Sequence, residues 1–346
     1  MVKIEFEKEV IESEFLSPLK KFEKEIHVIE RRKDPLTNHW CRISVERTKR
    51  RIEMKDHLEE KIIKKTQKTC FFCKKLIHDK TTKFPSWLVP DGRIKNNEFV
   101  LFPNLYPFAK YHAVGVLTGK HFVGLDKIKP KNWKNCIEGC ISWFKAVHER
   151  DPSARFPSIN LNFFPTAGAS LFHPHVQVLN TILPTVMSDI YYRKSWEYFD
   201  KNKTNYWQDL IEQEEYGERY IGKIGSVHWL TSFAPICNNE IVGIIKGNVS
   251  SFFEMTEEDI NDVSNGIWKI FKNIYEHGVG YNMSIFSAPL NELLGHFFSL
   301  NLKIISRPKM NEYYTMDRGF CEVLHKEPII TVFPETLASE LKIKFK

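Results

Sequence analysis

The chain has 346 residues, 42% of them apolar and 26 of them Phe, which allows a sizeable core in one large domain or two smaller ones. Its net charge of +7 is modest, fitting either a solvated Lys- and Glu-rich surface or a site for phosphate or another anion; no nucleic-acid partner is expected. No run of about 18 apolar residues occurs, so no membrane span or membrane partner is expected.

The opening MVKIEFEKEV lacks an apolar h-region, so no signal peptide is expected. Seven scattered cysteines, an odd number, do not read as a disulfide framework. A reducing, cytoplasmic setting is the expectation.

Along the chain, residues 1–29 alternate charged with apolar side chains and read as an N-terminal arm. ERRKDPLTNHWCRISVERTKRR (30–51) holds a turn, a short strand and a basic finish. Residues 52–66 are charged and read as helix or loop, and the CFFC knuckle follows at 70–73. Then a repeat appears. FVLFPNLYPFAKYHAVGVL starts at Phe99 and VHWLTSFAPICNNEIVGII at Val227. Pro107 matches Pro235 and Gly115 matches Gly243, both 128 positions apart. Each stretch reads strand, proline turn, strand, and each is followed by a helical segment and a further strand pair. Thr256 before Glu257, Glu258 and Asp259 is a helix start. The pattern predicts an α+β fold of two tandem units, each an antiparallel sheet with a covering helix. The expected division is an arm at 1–29, a first half at 30–184, an aromatic helical connection at 185–220 and a second half at 221–346.

The two copies differ at one strand. The first carries His173-Pro174-His175-Val176-Gln177, and the second has Phe297-Phe298-Ser299-Leu300-Asn301 at the equivalent place. On a strand, residues two apart share a face, so His173, His175 and Gln177 are expected in one polar row. Before them lies TAGAS, where Gly168 lets a backbone come close and Ser170 offers a hydroxyl. Gln177 can donate to a phosphate oxygen. An unprotonated imidazole is a competent nucleophile near neutral pH, and attack on phosphorus splits one hard transfer into two. Metal ligation is the competing use. Cys70-x-x-Cys73 is a zinc half-site by spacing and needs two more ligands from His78, His112, His121, His173 and His175. If His173 ligates, His175 is free; if both ligate, the nucleophile is lost. Spacing alone leaves this open. Glu240 stands 128 positions after His112 and is a candidate sugar-hydroxyl contact or a surface turn.

These motifs, taken in order, resemble the galactose-1-phosphate uridylyltransferase family of the histidine-triad superfamily, including its ADP-glucose phosphorylase-like members. The resemblance covers most of residues 30–325 and rests on RRKDPLTNHWCRISVERTKR, CFFC, FPNLYPF and NFFPTAGASLFHPHVQ. It implies that His175 takes the nucleoside monophosphate while Gln177 and Ser170 hold its phosphate. It implies nucleotide contacts from Asn104 and Asn162, and phosphate contacts from Arg47 and Arg50, whose planar guanidinium forks suit that task. It implies one structural zinc on Cys70, Cys73, His121 and His173, with no second metal, since Ser299, Asn301 and Lys303 replace the His-x-His strand that some members carry. Two departures stand out: Phe163-Phe164 follows Asn162 where the family has Lys-Gly, and the C-terminal sugar segment diverges. The implied function is ping-pong transfer of a nucleoside monophosphate from a nucleotide sugar to a sugar 1-phosphate, or to inorganic phosphate in a phosphorylase. A nucleotide-binding protein without turnover is the alternative, and a homodimer is expected.

Overall fold

The computed structural model describes residues 2–50, 58–310 and 316–345. Residues 51–57, part of the charged segment expected as helix or loop, lie outside them, as does the side chain of Arg50.

The chain opens with a long hairpin. β1 (Lys8–Ser17) pairs antiparallel with β2 (Glu23–Lys33), which pairs with β3 (Trp40–Ile43). Helix α1 (Leu58–Gln67) and the short α2 (Ile77–Lys80) flank CFFC. Next come β4 (Ile94–Asn96), β5 (Phe99–Pro103), β6 (Tyr111–Val116), α3 (Pro130–Arg150), β7 (Phe156–Phe163) and β8 (His175–Thr181). The connection is helical, as α4 (Val186–Asn202) and α5 (Tyr206–Glu214). The second copy supplies β9 (Tyr220–Ile224), β10 (Val227–Thr231), β11 (Ile241–Ile245), α6 (Glu257–Ile274), β12 (Val279–Phe286) and β13 (Asn301–Lys309). Last come α7 (Phe320–Val323), β14 (Ile329–Ile330) and α8 (Pro334–Lys344).

Residues 1–29, expected as an N-terminal arm, are therefore largely sheet. Their charged-apolar alternation has period two, a strand signal, and β1, β2, β3 and β14 form a four-stranded sheet. The other ten strands form one continuous sheet in the order β4-β5-β6-β8-β7-β12-β13-β11-β10-β9. Each copy has the same internal order, and the copies join where β7 pairs with β12. The fold is α+β, as expected, but the two copies share a sheet where two separate ones were predicted. Joining them pairs two strand edges that would otherwise be open.

One face of this sheet is apolar. Leu161, Val176, Val178, Met283, Leu302 and Ile304 meet Trp133, Cys136, Ile137 and Phe144 of α3 and Ile267 and Phe271 of α6 in a single core. Cys136 and Cys140 lie buried on the inner side of α3. At the start of α6, Asp259 N–H donates to Thr256 Oγ1 at 3.1 Å and the Asp259 carboxylate accepts from Thr256 N at 2.9 Å, a reciprocal cap.

The opposite face carries Gln177, Asn160, Ser284 and Lys303 side by side on β8, β7, β12 and β13. In the second copy this face is roofed: Trp207, Leu210 and Ile211 of α5 pack on Leu230, Val242, Ile244 and Phe298. At the far side of the first copy, Cys70, Phe72 and Ile77 pack on Val100, Phe102, Val114 and Val116. Between the two coverings Asn160, Asn162, Gln177, Asn282 and Ser284 remain half-buried.

The strand registers superimpose the copies residue by residue. Val114 pairs with Gln177 and Val116 with His175 in the first; Val242 pairs with Lys303 and Ile244 with Asn301 in the second. Lys303 thus occupies the place of Gln177, Asn301 that of His175, and Glu240 that of His112, so the counterpart of HPHVQ is residues 299–303, two positions beyond the Phe297–Asn301 stretch expected. Under its roof the second copy has become a closed polar core. Lys303 Nζ lies 2.7 Å from Glu240 Oε1, and Glu240 also accepts from Ile236 N at 2.7 Å and from the Ser232 hydroxyl. Burial alone would pull the Lys303 ammonium down, but Glu240, Tyr191 and Asp34 outweigh it and the net shift is upward. Lys303→Ala leaves Glu240 buried without its cation, so it is expected to cost about 3–5 kcal/mol in urea unfolding, whereas Lys303→Met with Glu240→Gln should cost far less. Equal losses for the two would show that the ion pair is not what the site depends on.

Candidate active site

β8 begins at His175, and His173 precedes it, so the two rings do not share a row as the period-two reading predicted. His173 turns instead toward the knuckle. Its Nδ1 lies 3.7 Å from Cys70 Sγ and 3.8 Å from Cys73 Sγ, while Nε2–H donates to Thr118 O at 2.6 Å. His121 does the same from the other side: Nδ1 is 3.5 Å from Cys73 Sγ, and Nε2 bonds Ile63 O at 3.1 Å. Four ligand atoms of Cys70, Cys73, His121 and His173 lie within 4.8 Å of one another. A tetrahedral ion with bonds of ~2.0–2.3 Å sets its ligands roughly 3.3–3.8 Å apart, so the donor set and its spacing fit a metal. Both histidines point Nδ1 inward because a backbone carbonyl holds the other nitrogen. Burial, with smaller contributions from His121 and His175, lowers His173 to about 4; burial and the adjacent Cys70 thiol raise Cys73 to about 11. Of the other candidate ligands, His78 is exposed on α2 and His112 bonds elsewhere.

His175 stands beside the cluster and outside it. Its Nδ1–H donates to His173 O at 2.7 Å, which fixes the tautomer and leaves the Nε2 lone pair without a partner among the described residues. Phe72 meets the ring edge-on at 5.3 Å. Burial lowers the pKa, so the imidazole is held neutral. In the second copy Asn301 keeps the same local bond, donating to Ser299 O at 3.0 Å, and has no such lone pair to offer.

Two amides flank His175. Gln177 Oε1 is 2.9 Å from His112 Nε2. Asn162 Oδ1 accepts from Asn282 Nδ2 at 2.7 Å across the β7–β12 junction, and Asn282 also donates to Ala167 O at 2.8 Å. Gly168 is exposed at φ +86, where L side chains are rarely found, and a Cβ there would lie 3.8 Å from Asn162 Nδ2. Asn162 and the TAGAS loop are thus brought together. Ser170 is exposed in that loop. The Phe164 departure has a backbone counterpart: this buried Phe sits at φ 70 and ψ 154, a region that favours glycine. Its ring is held by Phe122, Phe163 and Phe172.

Asn104 lies in the loop after β5, where its Oδ1 accepts from Tyr106 N at 2.9 Å and its Nδ2 comes within 3.1 Å of His112 Nε2. Leu105, Tyr106 and Phe108 of this loop are exposed. Arg47 is exposed on the turn after β3, with no side-chain partner among the described residues. Glu240 is not brought to this group; it is buried in the ion pair with Lys303, neither a surface turn nor open to a ligand. Sequence reasoning missed the parts played by His112, Asn160, Asn282 and Ser284. The 128-residue repeat offset had flagged only His112, by setting it against Glu240.

No protein-family model matches the chain. It is 30% identical over 344 residues to an uncharacterized protein of Archaeoglobus fulgidus, covering 98% of each. Among solved structures it resembles an ADP-glucose phosphorylase from Arabidopsis thaliana with bound ADP-glucose, at TM-score 0.69 and 20% identity over 91% of this chain and 98% of that one. A uridylyltransferase matches at TM-score 0.66 and 17% identity, over 91% and 98%. The duplicated α+β architecture is the one these structures share. The chain belongs to one family with the Archaeoglobus protein, and it shares its fold with the ADP-glucose phosphorylase and the uridylyltransferase.

Proposed function

We propose that the protein is a nucleotidyltransferase that moves a nucleoside monophosphate from a nucleotide sugar to a sugar 1-phosphate through a covalent nucleotidyl-His175. The observation that carries this reading is the His175 ring itself: Nδ1 is tied to His173 O, and Nε2 lies outside the Cys70, Cys73, His121 and His173 group with no partner among the described residues. In the first step Nε2 attacks the α-phosphorus and the bond to the leaving phosphate oxygen breaks. Sugar 1-phosphate departs with that electron pair, so no proton is required. The ring becomes cationic, and its Nδ1–H is already placed against a carbonyl that stabilises the charge. In the second step an oxygen of the acceptor phosphate attacks the phosphorus and Nε2 leaves as a neutral nitrogen. Gln177, Asn162 and the Gly168–Ser170 loop hold phosphate oxygens through both steps. Asn104, Arg47 and Arg50 complete nucleotide binding in this reading.

The metal in the reading is one zinc on Cys70, Cys73, His121 and His173. It supplies no Lewis acid to the reaction. Held as a ligand, His173 would keep its carbonyl fixed where it accepts the hydrogen bond from His175 Nδ1–H two residues on. The seven cysteines, none in a disulfide, suit a cytoplasmic setting, and no helix among the described residues is long and apolar enough to cross a membrane. A homodimer is supported by Leu16, Leu19, Phe22 and Val28, exposed together on the β1–β2 hairpin.

The test is a panel of UDP- and ADP-sugars labelled in the α-phosphate. Acid-labile, base-stable label on the protein, chased by a sugar 1-phosphate, is the expected result. A chase by inorganic phosphate alone makes the protein a phosphorylase. Nucleotide binding with no label from any donor would overturn the enzymatic reading.

A further inference from the structure

Two amides beside His175, Gln177 and Asn162, are each hydrogen-bonded through the side-chain oxygen to a neighbouring side chain. We infer that His112 and Asn282 are positioning residues that turn the amide nitrogens of Gln177 and Asn162 toward the phosphate. The inference rests on the reading of His175 as the nucleotidyl acceptor.

An amide side chain is ambiguous by shape: its oxygen and nitrogen ends fill nearly the same space. Only its neighbours decide which end faces a ligand. A phosphate has no donor to offer an amide oxygen, so a flipped amide sets two acceptors against each other. Each amide here is tied by a relay that starts on a backbone group with one possible role.

For Gln177 the start is the Phe108 N–H, which can only donate and lies 3.4 Å from His112 Nδ1. Nδ1 is then the acceptor and Nε2 carries the proton. That proton goes to Gln177 Oε1 at 2.9 Å. Asn104 Nδ2 also lies 3.1 Å from this Nε2, and the Asn104 oxygen accepts from Tyr106 N. With Oε1 capped, the Gln177 amide nitrogen turns away from His112.

For Asn162 the start is Ala167 O, which can only accept and lies 2.8 Å from Asn282 Nδ2. The same Nδ2 donates to Asn162 Oδ1 at 2.7 Å. Asn162 Nδ2 is thereby turned to the Gly168 loop. This relay crosses from the second copy into the first, because Asn282 and Asn162 are register partners at the junction of the two.

The second copy serves as an internal control. Where His112 faces Gln177, Glu240 faces Lys303 at 2.7 Å. The polarity of the pair is reversed, acceptor to donor, yet still matched. A donor at position 112 is therefore tied to an acceptor end at 177 and is not a generic polar filler.

The test is a double-mutant cycle read by calorimetric binding of AMP and of UMP, with His175 labelling measured on the same samples. His112→Leu and Gln177→Ala are each expected to weaken the bound nucleotide by about 10–100-fold, the value of one hydrogen bond to a charged group. His112→Leu added to Gln177→Ala should weaken binding no further. His112→Gln, which keeps a donor at the same reach, should recover binding to within a few-fold of wild type. The pair Asn282→Leu and Asn162→Ala should behave alike. Additive losses in both cycles, or a His112→Leu protein that binds as wild type does, would overturn the inference while leaving the enzymatic reading intact. A wild-type protein that neither binds nor labels with any nucleotide sinks both.

Discussion

His175→Ala is expected to remove the covalent label entirely and to lower transfer by about 10⁴-fold or more, while nucleotide binding changes only a few-fold. The reason lies in the division of labour around the ring. Gln177, Asn162 and the Gly168 loop are separate from His175 and survive its loss, so recognition is kept and only the nucleophile disappears. The structure also says what cannot substitute. His173 has Nδ1 facing two thiols and Nε2 on Thr118 O, and His112 is tied to Gln177. Neither has a nitrogen to spare. The measurement is a burst experiment with labelled nucleotide sugar, beside calorimetric binding of the nucleoside monophosphate. Persistent label on the alanine variant would place the acceptor elsewhere.

Loss of the metal is expected to act first on stability. Cys70 is buried against Phe72, Val100 and Val116, and the cluster ties the segment after α1 to the loop before β8. Chelation, or Cys70→Ser, should lower Tm by roughly 10 °C, since ~3–5 kcal/mol is lost at ~2–4 °C per kcal/mol. Transfer should fall too, but less than for His175→Ala, because in the proposed reading the ion would sit behind the His173 carbonyl and not on the phosphate. Scanning calorimetry with metal analysis of the purified protein, run beside the same assay, checks both halves. Unchanged melting with activity gone would assign the metal to the chemistry instead.

Several features were legible in the residues. The 128-residue offset between Pro107 and Pro235 announced the duplication; the strand registers keep it from Val114 to Val242, while Gln177 and Lys303 stand 126 apart. The four metal-ligand candidates implied by resemblance come together in space. Other features were misread for identifiable reasons. The hairpin at residues 8–33 was taken for an arm because its partner strand is its own neighbour and it carries little buried surface to mark it. Period two puts His173 and His175 on one face only inside a strand, and β8 starts two residues after His173.

What the amino-acid order determined by itself was local: helix starts, strand periodicity, the Cys-x-x-Cys spacing and the loss of the histidine pair from the second copy. These depend on neighbours a few residues apart, and backbone geometry is enough to impose them. Tertiary structure alone decided which polar row stays open. The same sheet face is closed by α5 over Lys303 and left half-buried at Gln177, Asn160 and Asn162, because burying a charge demands a paired partner and the second copy supplies Glu240. It also decided that Asn282, 120 residues away, sets the amide of Asn162. No local pattern encodes that bond; it exists because two copies of one fold share a strand junction.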